Sequence, residues 1–223
     1  MNLTLLTTAL ALGALGLSAP GPASSSAHSV SLQDETPDDE KKPKVLKLGV
    51  AVPEDFTLPD LDGKAHSFKD LRGKVVIVHF WSDRCPAERH ADPVFKKMEE
   101  RYAKAKDVVM IGIASNQNEL GAKPEKDADY SKLYTNLRKK IATVGYTHDI
   151  LIDHGNVASD FFQARSTPHC FVLDTKGRLQ YSGALDDDPR GRKGDEATNY
   201  LNDAVAALLK DERPEVTTTK PYG

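Results

Sequence analysis

The chain has 223 residues, two cysteines, one tryptophan and a formal net charge of −3. That length suits one domain with a core of its own, and two cysteines are too few to staple a scaffold. The slight acidity leaves no basic footprint, so nucleic acid is not an expected partner.

The apolar run Leu3 to Leu17, followed by small residues as far as Ala27, predicts a secretory signal over 1–27, although Met1-Asn2 carries no Lys or Arg ahead of it. The run is short for a membrane span. An exported protein, periplasmic or extracellular, without stable membrane insertion after cleavage is therefore expected. Residues 28–46 include Asp34-Glu35-Thr-Pro-Asp-Asp-Glu40-Lys41-Lys42-Pro43. Such a segment buries too little apolar surface to offset chain entropy and predicts a disordered linker. The folded domain is expected over 47–212, with 213–223 as a tail.

Within the domain, Phe56 to Phe68 alternates about Asp62-Gly63, a hairpin signal. Val75 to Trp81 is an unbroken apolar strand of the kind buried on both faces. Ala91, Val94, Phe95, Met98 and Tyr102 form a helical stripe, and Val108 to Ala114 is a second apolar strand. Strand, helix, strand implies a parallel pair with a crossover. Residues 117–129 read as a polar loop, and Tyr130 to Val144 keeps helical spacing. A short strand at Ile150 to Ile152, a short helix at Val157 to Phe162 and a hairpin at Phe171 to Leu173 with Leu179 to Tyr181 follow. Ala197, Leu201, Ala204, Val205 and Leu208 make a closing helix. The order is that of an α/β sandwich.

Two blocks carry the chemistry. In the first, the strand ending at Phe80-Trp81 delivers Cys85-Pro86 to the start of a helix. Pro suits a first helical turn, and a thiol there meets unpaired N–H groups that favour thiolate. In the second, Ser166-Thr167-Pro168 leads into Cys170-Phe-Val-Leu-Asp174 and a Lys176-Gly177 turn.

Together the blocks resemble the thioredoxin superfamily on its peroxiredoxin-like (alkyl hydroperoxide reductase/thiol-specific antioxidant, redoxin) side, over Leu48 to Leu209. Phe80, Trp81, Cys85 and Pro93 fall at the spacings of extracytoplasmic thioredoxins, and Thr167-Pro168 resembles the family's Thr-cisPro loop. The second cysteine of the usual Cys-x-x-Cys is Glu88 here. The resemblance implies a thioredoxin-like three-layer α/β/α sandwich with an N-terminal β-hairpin. It also implies a thiol-disulfide oxidoreductase or thiol-dependent reductase that acts on protein or small-molecule thiols and disulfides, with no cofactor. Two alternatives stand: a weak thiol peroxidase using the same nucleophile, and a non-catalytic binding module or metallochaperone.

Cys85 is the expected nucleophile. Ser82 stands where peroxiredoxins keep a Thr or Ser against their thiolate, but Val78 and Pro168 replace their active-site Pro and Arg, which argues against efficient peroxide cleavage. Cys170 reads either as a small core residue or as a resolving thiol. Glu88 reads either as a proton acceptor or as a solvated first-turn carboxylate. Trp81, Thr167 and Pro168 are the expected substrate-facing residues, since backbone before the proline can pair with an extended substrate. His79, His90 and His169 flank the motifs without metal-ligand spacing, and no metal is expected.

Overall fold

The computed structural model describes residues 45–223. The signal expected over 1–27 and nearly all of the linker expected over 28–46 lie outside the described residues. Leu46, placed in the linker by composition, is instead buried, and its N–H donates to Phe161 O at 2.8 Å. Folded structure thus begins ahead of residue 47.

The strands are β1 (Thr57–Pro59), β2 (Ala65–Ser67), β3 (Val75–Trp81), β4 (Val108–Ala114), β5 (Asp149–Ile152), β6 (His169–Leu173) and β7 (Leu179–Gly183). The helices are α1 (Glu88–Tyr102), α2 (Gln117–Leu120), α3 (Thr135–Val144), α4 (Val157–Phe162) and α5 (Tyr200–Leu208). One sheet runs β5-β4-β3-β6-β7, with β3, β4 and β5 parallel and β6 and β7 antiparallel. β1 and β2 form the separate N-terminal hairpin around Asp62-Gly63.

Every residue of β3 is buried, and alternation sends its side chains into two cores. Val75, Ile77 and Trp81 pack with Ala91, Phe95 and Met98 of α1, Leu137 of α3 and Leu201 of α5. Val76, Val78 and Phe80 pack on the other face with Leu58 of the hairpin, Phe68, and Ala158 and Phe162 of α4. The result is the expected thioredoxin-like sandwich, with the sheet as the middle layer.

Three elements differ from expectation. α2 interrupts the segment read as loop, capped by the Asn116 side chain, which accepts from Asn118 N–H. The stripe from Tyr130 to Val144 is not one helix: Tyr134 adopts left-handed backbone (φ 54°) and α3 starts at Thr135. Arg138 supports the break, because its guanidinium donates to the carbonyls of Tyr130 and Leu133, groups a continuous helix would have used, and also to Leu61 O of the hairpin. The segment 213–223, expected as a tail, packs on the domain: Pro214 is buried and Ser182 N–H donates to Thr217 O at 3.1 Å. Among the described residues no helix is long and apolar enough to cross a membrane.

Candidate active site

The site lies where β3 ends. Ser82 Oγ accepts from the amides of Arg84 (3.2 Å) and Cys85 (3.1 Å), folding the chain into a tight turn. The Ser82 hydroxyl in turn donates to Glu119 Oε1 at 2.6 Å, while Glu119 Oε2 accepts the Asp83 amide at 3.1 Å. Ser82 is thereby committed to shaping the turn, and its proton points to Glu119.

The helix begins later than the Cys-Pro pair suggests. Glu88 N–H donates to Cys85 O and Arg89 N–H to Pro86 O, both at 3.2 Å, so residues 85–87 form a lead-in turn to α1. Cys85 remains half-buried ahead of the helix. Its thiol donates to Thr167 O at 2.9 Å, and the Thr167–Pro168 bond is cis as the sequence block implies. The two blocks therefore meet, with Pro168 buried and Thr167 half-buried beside the thiol.

Trp81, expected to face substrate, is fully buried and donates its indole N–H to Asp92 Oδ1 at 3.2 Å. No substrate surface reaches it, because the inward phase of β3 at that position points beneath α1. Cys170 is also fully buried, opposite His79 on β3 and Gly183 on β7. Burial pushes its thiol well above the ordinary range, and the charges of Glu88 and Asp186 add to this. Neither cysteine is in a disulfide.

Glu88 occupies the first turn of α1 but is only 1% exposed. Its reading as a solvated carboxylate fails for that reason. Neither carboxyl oxygen finds a well-formed hydrogen bond, the Ser82 amide giving only a weak pull. Burial raises its pKa well above the carboxylate range, and the negative charges of Asp92 and Cys85 push the same way. Burial thus disfavours the charged form of Glu88, which sits behind the thiol.

Two further carboxylates escaped sequence reasoning. Asp92, buried four residues after Glu88, takes the Trp81 N–H, the Tyr146 hydroxyl at 2.8 Å and the Lys140 ammonium at 2.5 Å. Its i, i+4 spacing from Glu88 on the inward face of α1 was the available signal. Glu119 carried no local signal, since it reaches the turn from far along the chain. The flanking histidines do not converge: His79 shares a hydrogen bond with His148, His90 with Asp186, and His169 with Ser182. Among the described residues no cluster of His, Cys, Asp and Glu could hold a metal ion.

Residues 48–182, more than half of the chain, match the family model described as AhpC/TSA. The chain belongs to the AhpC/TSA family. Within that family's wider surroundings it is 31% identical over 140 residues to the thioredoxin-like protein YneN of Bacillus subtilis, covering 63% of this chain and 73% of that protein. It is 32% identical over 139 residues to a chloroplastic peroxiredoxin Q of Triticum aestivum, covering 59% and 56%. It is 27% identical over 135 residues to the thiol-disulfide oxidoreductase ResA of Bacillus cereus, covering 60% and 68%. The crystal structure of a hypothetical protein from Sinorhizobium meliloti superposes with a TM-score of 0.65 at 25% identity, covering 81% of this AhpC/TSA chain and 93% of the other.

Proposed function

We propose that this chain is an exported thiol-disulfide oxidoreductase that works through a single cysteine, Cys85. The observation that carries the reading is the pairing of a half-buried Cys85 thiol with Thr167 O while Cys170, the other thiol, is sealed in the core. The Cys85 thiolate attacks one sulfur of a substrate disulfide, a Cys85–substrate disulfide forms, and the other substrate sulfur leaves as a thiolate that takes up a proton. A second, external thiol then attacks the mixed disulfide, freeing Cys85 and carrying away the substrate sulfur as a new disulfide. Glu88, whose burial strengthens its hold on a proton and whose carboxyl oxygens carry no well-formed hydrogen bond, is positioned in its carboxylate form to take the proton that the thiol gives up. Thr167 offers the backbone edge along which an extended substrate lies.

The relatives support thiol chemistry in general terms, being named as a thiol-disulfide oxidoreductase and a peroxiredoxin. Peroxide cleavage gains less support from the site. The Ser82 hydroxyl is spent on Glu119, and Pro168 stands where the peroxiredoxin arginine is expected. Export rests on the apolar run and small residues ahead of His28.

The test is disulfide mapping by mass spectrometry after mild oxidation with a small-molecule disulfide, in wild type and Cys170→Ala. The reading expects adducts on Cys85 alone, reversed by added thiol, and equal turnover in both proteins. An abundant Cys85–Cys170 bridge, lost together with turnover in the variant, would overturn it.

A further inference from the structure

Beyond α5 the chain returns along the outer edge of β7. Thr219 N–H donates to Ser182 O at 3.2 Å, Ala184 N–H donates to Thr219 Oγ1 at 2.8 Å, and that hydroxyl shares a 2.7 Å hydrogen bond with Tyr181. Ser182 and Thr218 form a parallel bridge, so the edge is capped by one further extended segment. Three residues on, the Tyr222 hydroxyl donates to Asp186 Oδ1 at 2.6 Å, and Asp186 Oδ2 pairs with His90 of α1 at 3.0 Å. The segment then arrives at the site itself. Gly223 lies so tightly on Thr167 that a Cβ there would collide with the Thr167 carbonyl oxygen, the atom to which Cys85 donates.

We propose that Thr217–Gly223 is a strap that occupies the backbone edge beside Cys85, admits small disulfides, and must lift before a bulky protein disulfide can reach the thiol. This deepens the reading of Cys85 as the nucleophile and rests on it. The strap has no helix and one bridge to the sheet, Lys220 and Gly223 are exposed, and Tyr222 is its anchor, half-buried against the core. Its other flank faces an open cleft of about 260 Å³ lined by Arg165, His169, Thr218 and Pro221. Segments with few buried contacts open at the low-stability end of a fold. A substrate strand pairing at Thr167 and Gly223 seated against it are mutually exclusive, because both occupy the same space over the Thr167 backbone.

The experiment compares full-length wild type with Tyr222→Ala and Tyr222→Phe. Labelling of Cys85 is timed with iodoacetamide and with a maleimide carried on a polyethylene glycol chain, and sites are read by peptide mass. Tyr222→Ala is expected to accelerate the bulky reagent about ten-fold, in proportion to the rise in open population, while iodoacetamide changes less than about two-fold. Tyr222→Phe, which keeps the ring and loses the bond to Asp186, is expected to fall between. Amide exchange over Arg165–Phe171 reads the strap without using Cys85, and it should quicken in Tyr222→Ala while β3 stays protected. Equal bulky-reagent rates in wild type and Tyr222→Ala, unchanged exchange over Arg165–Phe171, or simultaneous labelling of Cys170 through general loosening would each overturn the strap. A Cys85 that resists iodoacetamide in every protein while exchange still quickens would instead overturn the nucleophile reading alone.

Discussion

Glu119 holds Ser82 across a separation of 37 residues, accepting its hydroxyl at 2.6 Å and, through the other oxygen, the neighbouring Asp83 amide at 3.1 Å. The turn that presents Cys85 is therefore set by a carboxylate on α2, a helix of four residues. Glu119→Ala should destabilise the fold by about 1 kcal/mol, the scale of a charge-assisted hydrogen bond at a half-exposed position. It should also slow mixed-disulfide formation at Cys85. Urea unfolding and single-turnover kinetics on the same variant check both, and unchanged kinetics would mean that the turn holds its shape without α2.

The side chains of Asp83 and Glu119 predict a pH dependence. Burial, then the hydrogen bond and charge of Glu119, raise Asp83 from 3.8 to about 6, with Arg84 pulling the other way. The folded state holds this proton more tightly than the unfolded chain, so its contribution to stability is complete below 3.8 and is lost as pH rises through about 6. In Asp83→Asn the unfolding midpoint should lack that decline. Parallel slopes for the two proteins across the interval would contradict the assignment.

Glu88 carries the same sign. Its folded pKa lies well above 4.5, chiefly through burial, so wild type should lose stability relative to Glu88→Gln as pH climbs past that value. The amide is neutral throughout and nearly isosteric. Urea titrations of both proteins at acid pH and near neutrality measure the gap, which should open on the alkaline side. The variant should also show an altered pH–rate profile for thiol exchange if Glu88 takes the Cys85 proton, and an identical profile would confine Glu88 to packing.

A second polar network lies under the opposite end of α1. Glu99 Oε1 accepts from the Thr147 amide (2.7 Å), the Thr147 hydroxyl (2.8 Å), the His148 amide (2.7 Å) and His148 Nδ1 (2.9 Å), and Lys96 pairs with Oε2 at 2.7 Å. Burial alone would raise its pKa, but the bonds from His148, Lys96 and Thr147 outweigh it and hold it low. His148 Nε2 shares a hydrogen bond with His79 Nε2 at 3.0 Å. Burial, and then the charge of His148, lowers the pKa of His79 well below the ordinary histidine value. Glu99→Ala leaves these donors unpaired and should cost about 3 kcal/mol, or roughly 10 °C in Tm. Calorimetry decides, and a loss within about 0.5 kcal/mol would show that water replaces the carboxylate.

What was legible in the residues was what periodicity and local spacing encode. The uniformly apolar β3 and the inward stripe of α1 follow from patterns a few residues long, whereas the joining of Cys85 to Thr167-Pro168 was implied by the resemblance to the thioredoxin superfamily. Glu88 was ambiguous because a carboxylate on a first turn is equally at home in solvent, and only the closure of α1 over β3 puts it inside. Trp81 was misplaced for a related reason: nearness to Cys85 in sequence says nothing about which side of the strand it faces. Glu119 and Asp186 act through contacts between distant segments, which leave no local trace. The segment after Arg213 is rich in Thr and carries two prolines, so composition alone gave no reason to expect it at a sheet edge.

The sealing of Cys170 has a kinetic meaning. A neighbouring thiol on the same surface would act at an effective concentration on the order of millimolar or more and would clip a bound partner from within. On the proposed single-cysteine reading no such clock operates, since Cys170 is fully buried and Glu88 is not a thiol. The lifetime of any disulfide formed on Cys85 then scales inversely with the free thiol around it. A site of that kind would act as a gauge of its surroundings, holding partners longest where reductant is scarce.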